Sequence, residues 1–331
     1  MLGAFWSTVG GKLGDRWLAS SLPAVVFWLG GATAYLMGHG GLRAVSSLAT
    51  WIFQQPPTTP IVLLIAALLL IAASALFVAR LVEPALHLIE GYWPLWALRT
   101  YRWIRARRKH STHADDRWQY LNHRIQANGP ALRPEEYTEF LRLDRARRRQ
   151  PTKEYRRMPT RVGNILRTAE SLPRDKYGLD VVAVWPRLWL LLPPDTRAEL
   201  VSARRAMTTT VAAGVWGVLF CGFGVLTFWA VVVGVAVATL SLVMWLPGLA
   251  QTYGDLLEAA FDVHRSLLYN ALRWPLPTCP ADESKTGEQL TTYLWRGSDA
   301  PSPTFVDQHE PAPTTTTLSQ AVRRLLKTVH R

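Results

Sequence analysis

Long uncharged runs alternate along this chain with segments whose apolar residues recur at helical spacing. Residues 22 to 38 ("LPAVVFWLGGATAYLMG") and 61 to 79 ("IVLLIAALLLIAASALFVA") carry no charged side chain, and neither does the stretch from Ala206 to Gly254. At about 1.5 Å per residue that last stretch would extend roughly 73 Å as one helix, about twice the hydrocarbon thickness of a bilayer, so it must fold back as two spans. They are expected near 207 to 226 and 229 to 247, with Gly222 and Gly224 in the outer turn and Pro247 and Gly248 marking the inner end. The predicted fold class is all-α: an integral membrane protein with four transmembrane helices and a helical cytoplasmic domain. Backbone groups in lipid must be satisfied within each segment, and the runs lack the alternation of a barrel strand.

The flanking segments read as helices of other kinds. Residues 2 to 18 place Phe5, Val9, Leu13 and Trp17 four apart with Lys12 and Arg16 on other faces, as in an interfacial or surface helix. "GLRAVSSLATWIF" repeats the device before "QQPPTTP". After the second run the helix is expected to continue through "LHLIEGYWPLWALRTYRWIRARRKH", kinked or interrupted at Pro94, with an aromatic belt of Tyr92, Trp93, Trp96, Tyr101 and Trp103. Soluble helices are predicted near 114 to 127 and 134 to 149; the second opens with Pro134 and two acids and ends in "RARRR", matching the helix dipole. Residues 251 to 273 put Leu257, Phe261, His264, Leu268 and Leu272 on one stripe opposite Asp255, Glu258 and Asp262. The chain thus divides into an interfacial helix (1–21), two transmembrane helices (22–82), a basic cytoplasmic domain (83–206), a transmembrane hairpin (207–247), an amphipathic helix with a packed segment (248–296), and a flexible tail with a short terminal helix (297–331).

Charge orients this plan. The 331 residues carry a formal net charge of +13. Residues 84 to 206 hold 25 Lys and Arg against 13 Asp and Glu, a surplus of 25 − 13 = 12, whereas the loop between the first two runs holds only Arg43. The positive-inside rule places the central segment in the cytoplasm, and an even number of spans returns both termini there. The juxtamembrane group Arg99, Arg102, Arg105, Arg107, Arg108 and Lys109 is a candidate site for anionic lipid, worth about 1 kcal/mol per charge near the surface. Lys12 and Arg16 before an apolar run ending near "ATA" also resemble a secretory signal, but the run continues through Tyr35, Leu36 and Met37, and the first span is expected to be retained. Cys221 and Cys279 fall in different environments, so no disulfide is implied.

A dense polar and aromatic cluster occupies 159 to 188. Thr160 can cap a helix whose face is Val162, Ile165, Leu166 and Ala169; Pro173 is expected to stop it, Gly178 to turn the chain, and Asp180 to cap the next helix. Arg161, Asn164, Arg167, Glu170, Tyr177, Asp180, Trp185 and Arg187 form a candidate junction or partner site. Arg187 is expected to stack between Trp185 and Trp189 and to pair with Asp180 or Glu170. Together "TRVGNILRTAE", "KYGLDVVAVWPRL", "LLEAAFDVHRSLLYNALRWPLP" and "LTTYLWRGS" resemble a family of bacterial multi-span membrane proteins without an established activity. The resemblance covers roughly 159 to 297 and implies two spans, a cytoplasmic segment, two more spans and a tail; it implies no function.

Other constellations are weak. "HSTHADD" sets His110 and His113 beside Asp115 and Asp116 without a third ligand at defined spacing, so a solvated turn is expected there and no metal. No catalytic triad, P-loop or dinucleotide fingerprint occurs, and no cofactor is expected. "GGATAYLMGHGG" lies in or beside a span, where small residues allow close helix approach. The expected function is a non-enzymatic inner-membrane scaffold or interaction protein, with anionic membrane lipid and a protein partner or second copy as partners, and without nucleic acid. The alternatives are an oligomeric channel or transport component, for which a ring of Thr208, Thr209 and Thr210 would line the pore, and a membrane-bound enzyme using the Arg161 to Arg187 cluster.

Overall fold

A computed structural model describes residues 22–38, 50–51, 54–56, 58–94, 97, 99, 110–128, 133–151, 153–297, 301 and 303–306. Among the described residues the regular structure is helical, without strands. In chain order the helices are α1 (Leu22–Gly38), α2 (Thr58–Glu90), α3 (His110–Asn128), α4 (Pro134–Arg148), α5 (Arg161–Tyr177), α6 (Val181–Leu191), α7 (Pro194–Phe220), α8 (Phe228–Thr239), α9 (Leu246–Ala271) and α10 (Pro280–Arg296). Three continuous segments, Thr58–Glu90, Pro194–Val225 and Phe228–Ala271, are long and apolar enough to cross a membrane, so the chain is a multi-pass membrane protein. α1 is apolar but shorter. The expected interfacial helix at 2–18 and the terminal helix lie outside the described residues.

Three expected helix ends differ. α2 stops at Glu90, four residues before Pro94, because Gly91 adopts φ +100° and the Gly91 and Tyr92 N–H groups both turn back to the His87 carbonyl. α5 runs past Pro173 to Tyr177, where Gly178 (φ +70°) ends it. Pro247 ends nothing: the chain passes from α8 through a π turn, Leu240–Trp245, into α9. A π register displaces the carbonyl that the proline ring would otherwise strike, so the helix accepts Pro247 near the start of α9.

The chain forms two compact units, residues 1–169 with 198–256, and 170–197 with 257–331, their boundaries falling inside α5, α7 and α9. In the first, Val82 and Leu86 of α2, Val162, Ile165 and Leu166 of α5, Met207 and Val211 of α7, and Leu246 and Ala250 of α9 make one buried cluster. Thr160 caps α5 by accepting from the Gly163 N–H (3.0 Å) and donates to the Glu90 carbonyl (3.1 Å), tying the end of α2 to the start of α5. α1 lays Gly30 and Gly31 against the rings of Phe220 and Phe223 and packs Phe27 on Trp216, while Trp28 Nε1 donates to Ser74 Oγ of α2. The turn between α7 and α8 is a 3₁₀ stretch, Cys221–Val225. α7 and α8 approach at Gly217 and Gly234, where a Cβ on Gly217 would lie 2.8 Å from the Gly234 carbonyl oxygen.

α3 and α4 form an antiparallel hairpin in the same unit. Arg117 pairs with Glu139 (3.0 Å) and Arg124 with Glu136 (2.9 Å), Trp118 stacks on Phe140, and the Arg147 guanidinium lies 3.9 Å from the Trp118 ring centre. The hydrogen bond from Arg117 holds the Glu139 carboxyl below the usual carboxylate range.

In the second unit α6 buries Ala183, Val184 and Leu188, and Trp185 stacks on the fully buried Phe261 of α9. α10 closes on the α5–α6 turn so tightly that a Cβ on Gly287 would overlap the Tyr177 carbonyl oxygen. Pro303–Val306, expected in a flexible linker, is docked instead: Phe305 meets Trp274 and Tyr293 edge-on, and the Val306 N–H donates to the Arg273 carbonyl.

Candidate functional site

The densest arrangement of ionic side chains among the described contacts belongs to the second unit, where three helices each contribute. α9 presents Glu258, Asp262 and Arg265 three and four residues apart, hence on one face. Lys176 near the end of α5 pairs with Glu258 and lies 3.6 Å from Asp262. The Tyr177 hydroxyl donates to Asp262 Oδ1 (2.6 Å). Arg265 stands 4.2 Å over the Tyr177 ring, donates to the Asp262 carbonyl, and reaches Glu283 of α10 through Nε at 2.5 Å. Each of the two cations thus lies against carboxylates, and the neutral Tyr177 joins Asp262 to Arg265.

The electrostatics follow from that arrangement. Burial disfavours the Lys176 ammonium, but the Glu258 hydrogen bond and the charges of Glu258 and Asp262 outweigh it, and its pKa rises above the ordinary value. Burial, then the bond to Asp262, pushes the Tyr177 phenol up as well. Neither group is poised to exchange a proton near neutral pH, which is what a general acid or base requires.

In the same unit a hydroxyl and an indole are buried with no hydrogen-bond partner among the described residues: Tyr269 Oη, 1% exposed as a residue, and Trp274 Nε1. Thr291 of α10 donates to the Gly178 carbonyl and accepts from the Asp180 N–H, both at 3.1 Å, fixing the turn between α5 and α6. His264 is half-buried, its Nε2 3.4 Å from Thr196 Oγ1.

The eight residues of the 161–187 cluster are divided between the two units. Arg161, Asn164 and Arg167 belong to the first unit, the other five to the second. Arg161, Arg167 and Glu170 are exposed. Asn164 is a local clasp: its Oδ1 accepts from the Met158 N–H (2.7 Å) and its Nδ2 donates to the carbonyls of Met158 and Thr160. Asp180 caps α6 through the Val182 N–H (3.0 Å) and pairs with Arg174, not Arg187. Among the described residues Arg187 shows neither the expected stacking nor the expected ion pair: it is exposed, donates to the Ala183 carbonyl one turn back, and the rings of Trp185 and Trp189 approach each other at 5.7 Å. Consecutive helical positions diverge by about 100°, so Arg187 cannot share a face with indoles two residues to either side.

Of the lipid-directed group, Arg99 is described, as an exposed helical residue, while Arg102, Arg105, Arg107, Arg108 and Lys109 lie outside the described residues. Lys176, Glu258, Asp262, Arg265 and Glu283 were missed as a cluster. The signal was the acid, acid, base spacing at 258, 262 and 265, which reads from sequence as a solvated face. No protein-family model, curated protein or solved structure matches the chain.

Proposed function

We propose that this protein is a non-enzymatic inner-membrane scaffold or interaction protein. On this reading it crosses the membrane four times, keeps both termini in the cytoplasm, presents basic helical segments there to anionic lipid, and holds a protein partner or a second copy of itself. The observation that carries the reading is the way the ionic groups are used: Lys176 is held by Glu258 and Asp262, Arg265 by Glu283, and the neutral Tyr177 hydroxyl bonds Asp262, as groups do when they fix helices together. Two further observations support it. α1 packs its glycines against the aromatic rings that end the hairpin, as a fourth span would. Thr208 and Thr210 spend their hydroxyl protons on the Arg205 and Ala206 carbonyls of their own helix, rather than offering them to a pore.

The test is native mass spectrometry of the full chain extracted into nanodiscs, with co-purifying lipid and protein identified. Retention of anionic phospholipid together with a defined partner or dimer is the expected result. A larger symmetric ring that conducts ions would replace the scaffold by the channel.

A further inference from the structure

The α3–α4 hairpin sorts its charge. On α4, Glu136 and Glu139 point to α3 and are used by Arg124 and Arg117; Phe140 stacks on Trp118; Asp144 accepts from Trp118 Nε1 and pairs with Arg148; and Arg147 covers the Trp118 ring. Three of the four acids of α4 are thereby consumed. Arg142, Arg145 and Arg149 recur at three and four residues, on the helix surface turned away from that packed face. Arg142 and Arg145 are exposed and Arg149 is half-buried; among the described residues none of the three has an ion pair or a side-chain hydrogen bond. The one acid of α4 on that side is Glu135, in the first turn, where the helix dipole accommodates it. Residue counts hide this asymmetry, because acids and bases alternate closely along the α4 sequence.

We propose that the outer face of α4 is a docking surface for the anionic headgroups of the bilayer in which this chain is embedded. The inference extends the lipid-binding reading above and rests on it. Charge complementarity is the first reason: three guanidinium groups spaced over about 10 Å of one helix face match a flat array of phosphates, to which arginine binds in bidentate fashion. Proximity is the second reason. The hairpin is joined to the membrane-crossing α2 by residues 91–109, so the bilayer is its nearest polyanion and binding is intramolecular.

The full-length chain should be compared in nanodiscs of phosphatidylcholine alone and of phosphatidylcholine mixed with phosphatidylglycerol, reading amide hydrogen exchange by mass spectrometry. Peptides within 134–149 should exchange about tenfold more slowly in the anionic discs, and high salt should remove the difference. The triple variant Arg142→Gln, Arg145→Gln, Arg149→Gln should abolish it while peptides within 116–127 keep their protection, showing that the hairpin still pairs. Equal exchange of α4 in the two discs overturns the proposal, as does an anionic-disc effect that survives in the triple variant. Stronger protection of α4 by added polyuridylate than by anionic lipid overturns it in favour of RNA. Failure of the broader reading is read separately, on co-purified lipid: retention of anionic phospholipid with unprotected α4 removes only this surface, whereas no retained anionic phospholipid removes the lipid-binding reading itself.

Discussion

A guanidinium set between two tryptophans in sequence invites a stacked, buried interpretation, and Arg187 shows why spacing must be converted into angle first. Its exposed side chain and single bond to the Ala183 carbonyl predict that Arg187→Met changes thermal stability by no more than about 0.5 kcal/mol. A larger loss of melting temperature would mean that the residue has a partner. Tyr269 is the opposite case. Its ring is buried but its hydroxyl is unpaired, so Tyr269→Phe removes a desolvation cost and keeps the packing; stability should rise by about 1 kcal/mol, within the range for an orphaned polar group. Capping residues were legible in the sequence because their chemistry is local: Thr160 and Asp180 do what their positions before apolar helices indicate. The Asn164 clasp and the Lys176 network were not, since each depends on backbone or side chains brought back by a turn or by another helix.

Among elements, apolar runs fixed where helices exist, and local stereochemistry fixed where they stop. Prolines at 173, 186 and 247 all lie inside or beside continuing helices, whereas the glycines at 91 and 178, with positive φ, end them. Helix packing gives a paired prediction. Gly287→Ala places a methyl group against the Tyr177 carbonyl and must push α10 off the α5–α6 turn, costing about 1 to 3 kcal/mol. Gly248→Ala, in α9 with nothing within 4 Å of the added carbon, should be neutral or stabilise by up to about 1 kcal/mol through helix propensity. Thermal unfolding of both variants in one detergent checks the sign difference. The network joining α5, α9 and α10 also predicts a pH dependence. Lys176 and Tyr177 both have raised pKa values in the folded protein, so their contribution is complete below their ordinary values of 10.5 and 10.0 and is lost as pH rises through the higher folded values. The stability gap between wild type and Tyr177→Phe should therefore be constant up to about pH 10 and close above it; a gap that closes between pH 5 and 8 would place the relevant titration elsewhere.

For the whole molecule, the membrane reading rests on length and composition, and its orientation rests on charge alone. On the proposed topology the surplus of 12 positive charges within residues 84–206 lies on one side, and the single Arg43 of the first loop on the other. Translocating either the arginine-rich stretch around residues 99–109 or Arg204 and Arg205, which flank spans, would oppose the positive-inside rule at both ends of the central segment. With Cys221 and Cys279 replaced by serine, single cysteines can report each side. Asp115→Cys and Ala300→Cys should react with an impermeant maleimide only after the membrane is opened, and Ser47→Cys should react in intact cells. The pattern also tests the spans that separate the probes. Positions 47 and 115 are separated by α2 alone and should label oppositely, while 115 and 300 are separated by the α7–α8 hairpin and should label alike. Labelling of position 115 from outside would invert the topology, and labelling of 300 but not 115 would leave only one of the two hairpin helices crossing the membrane.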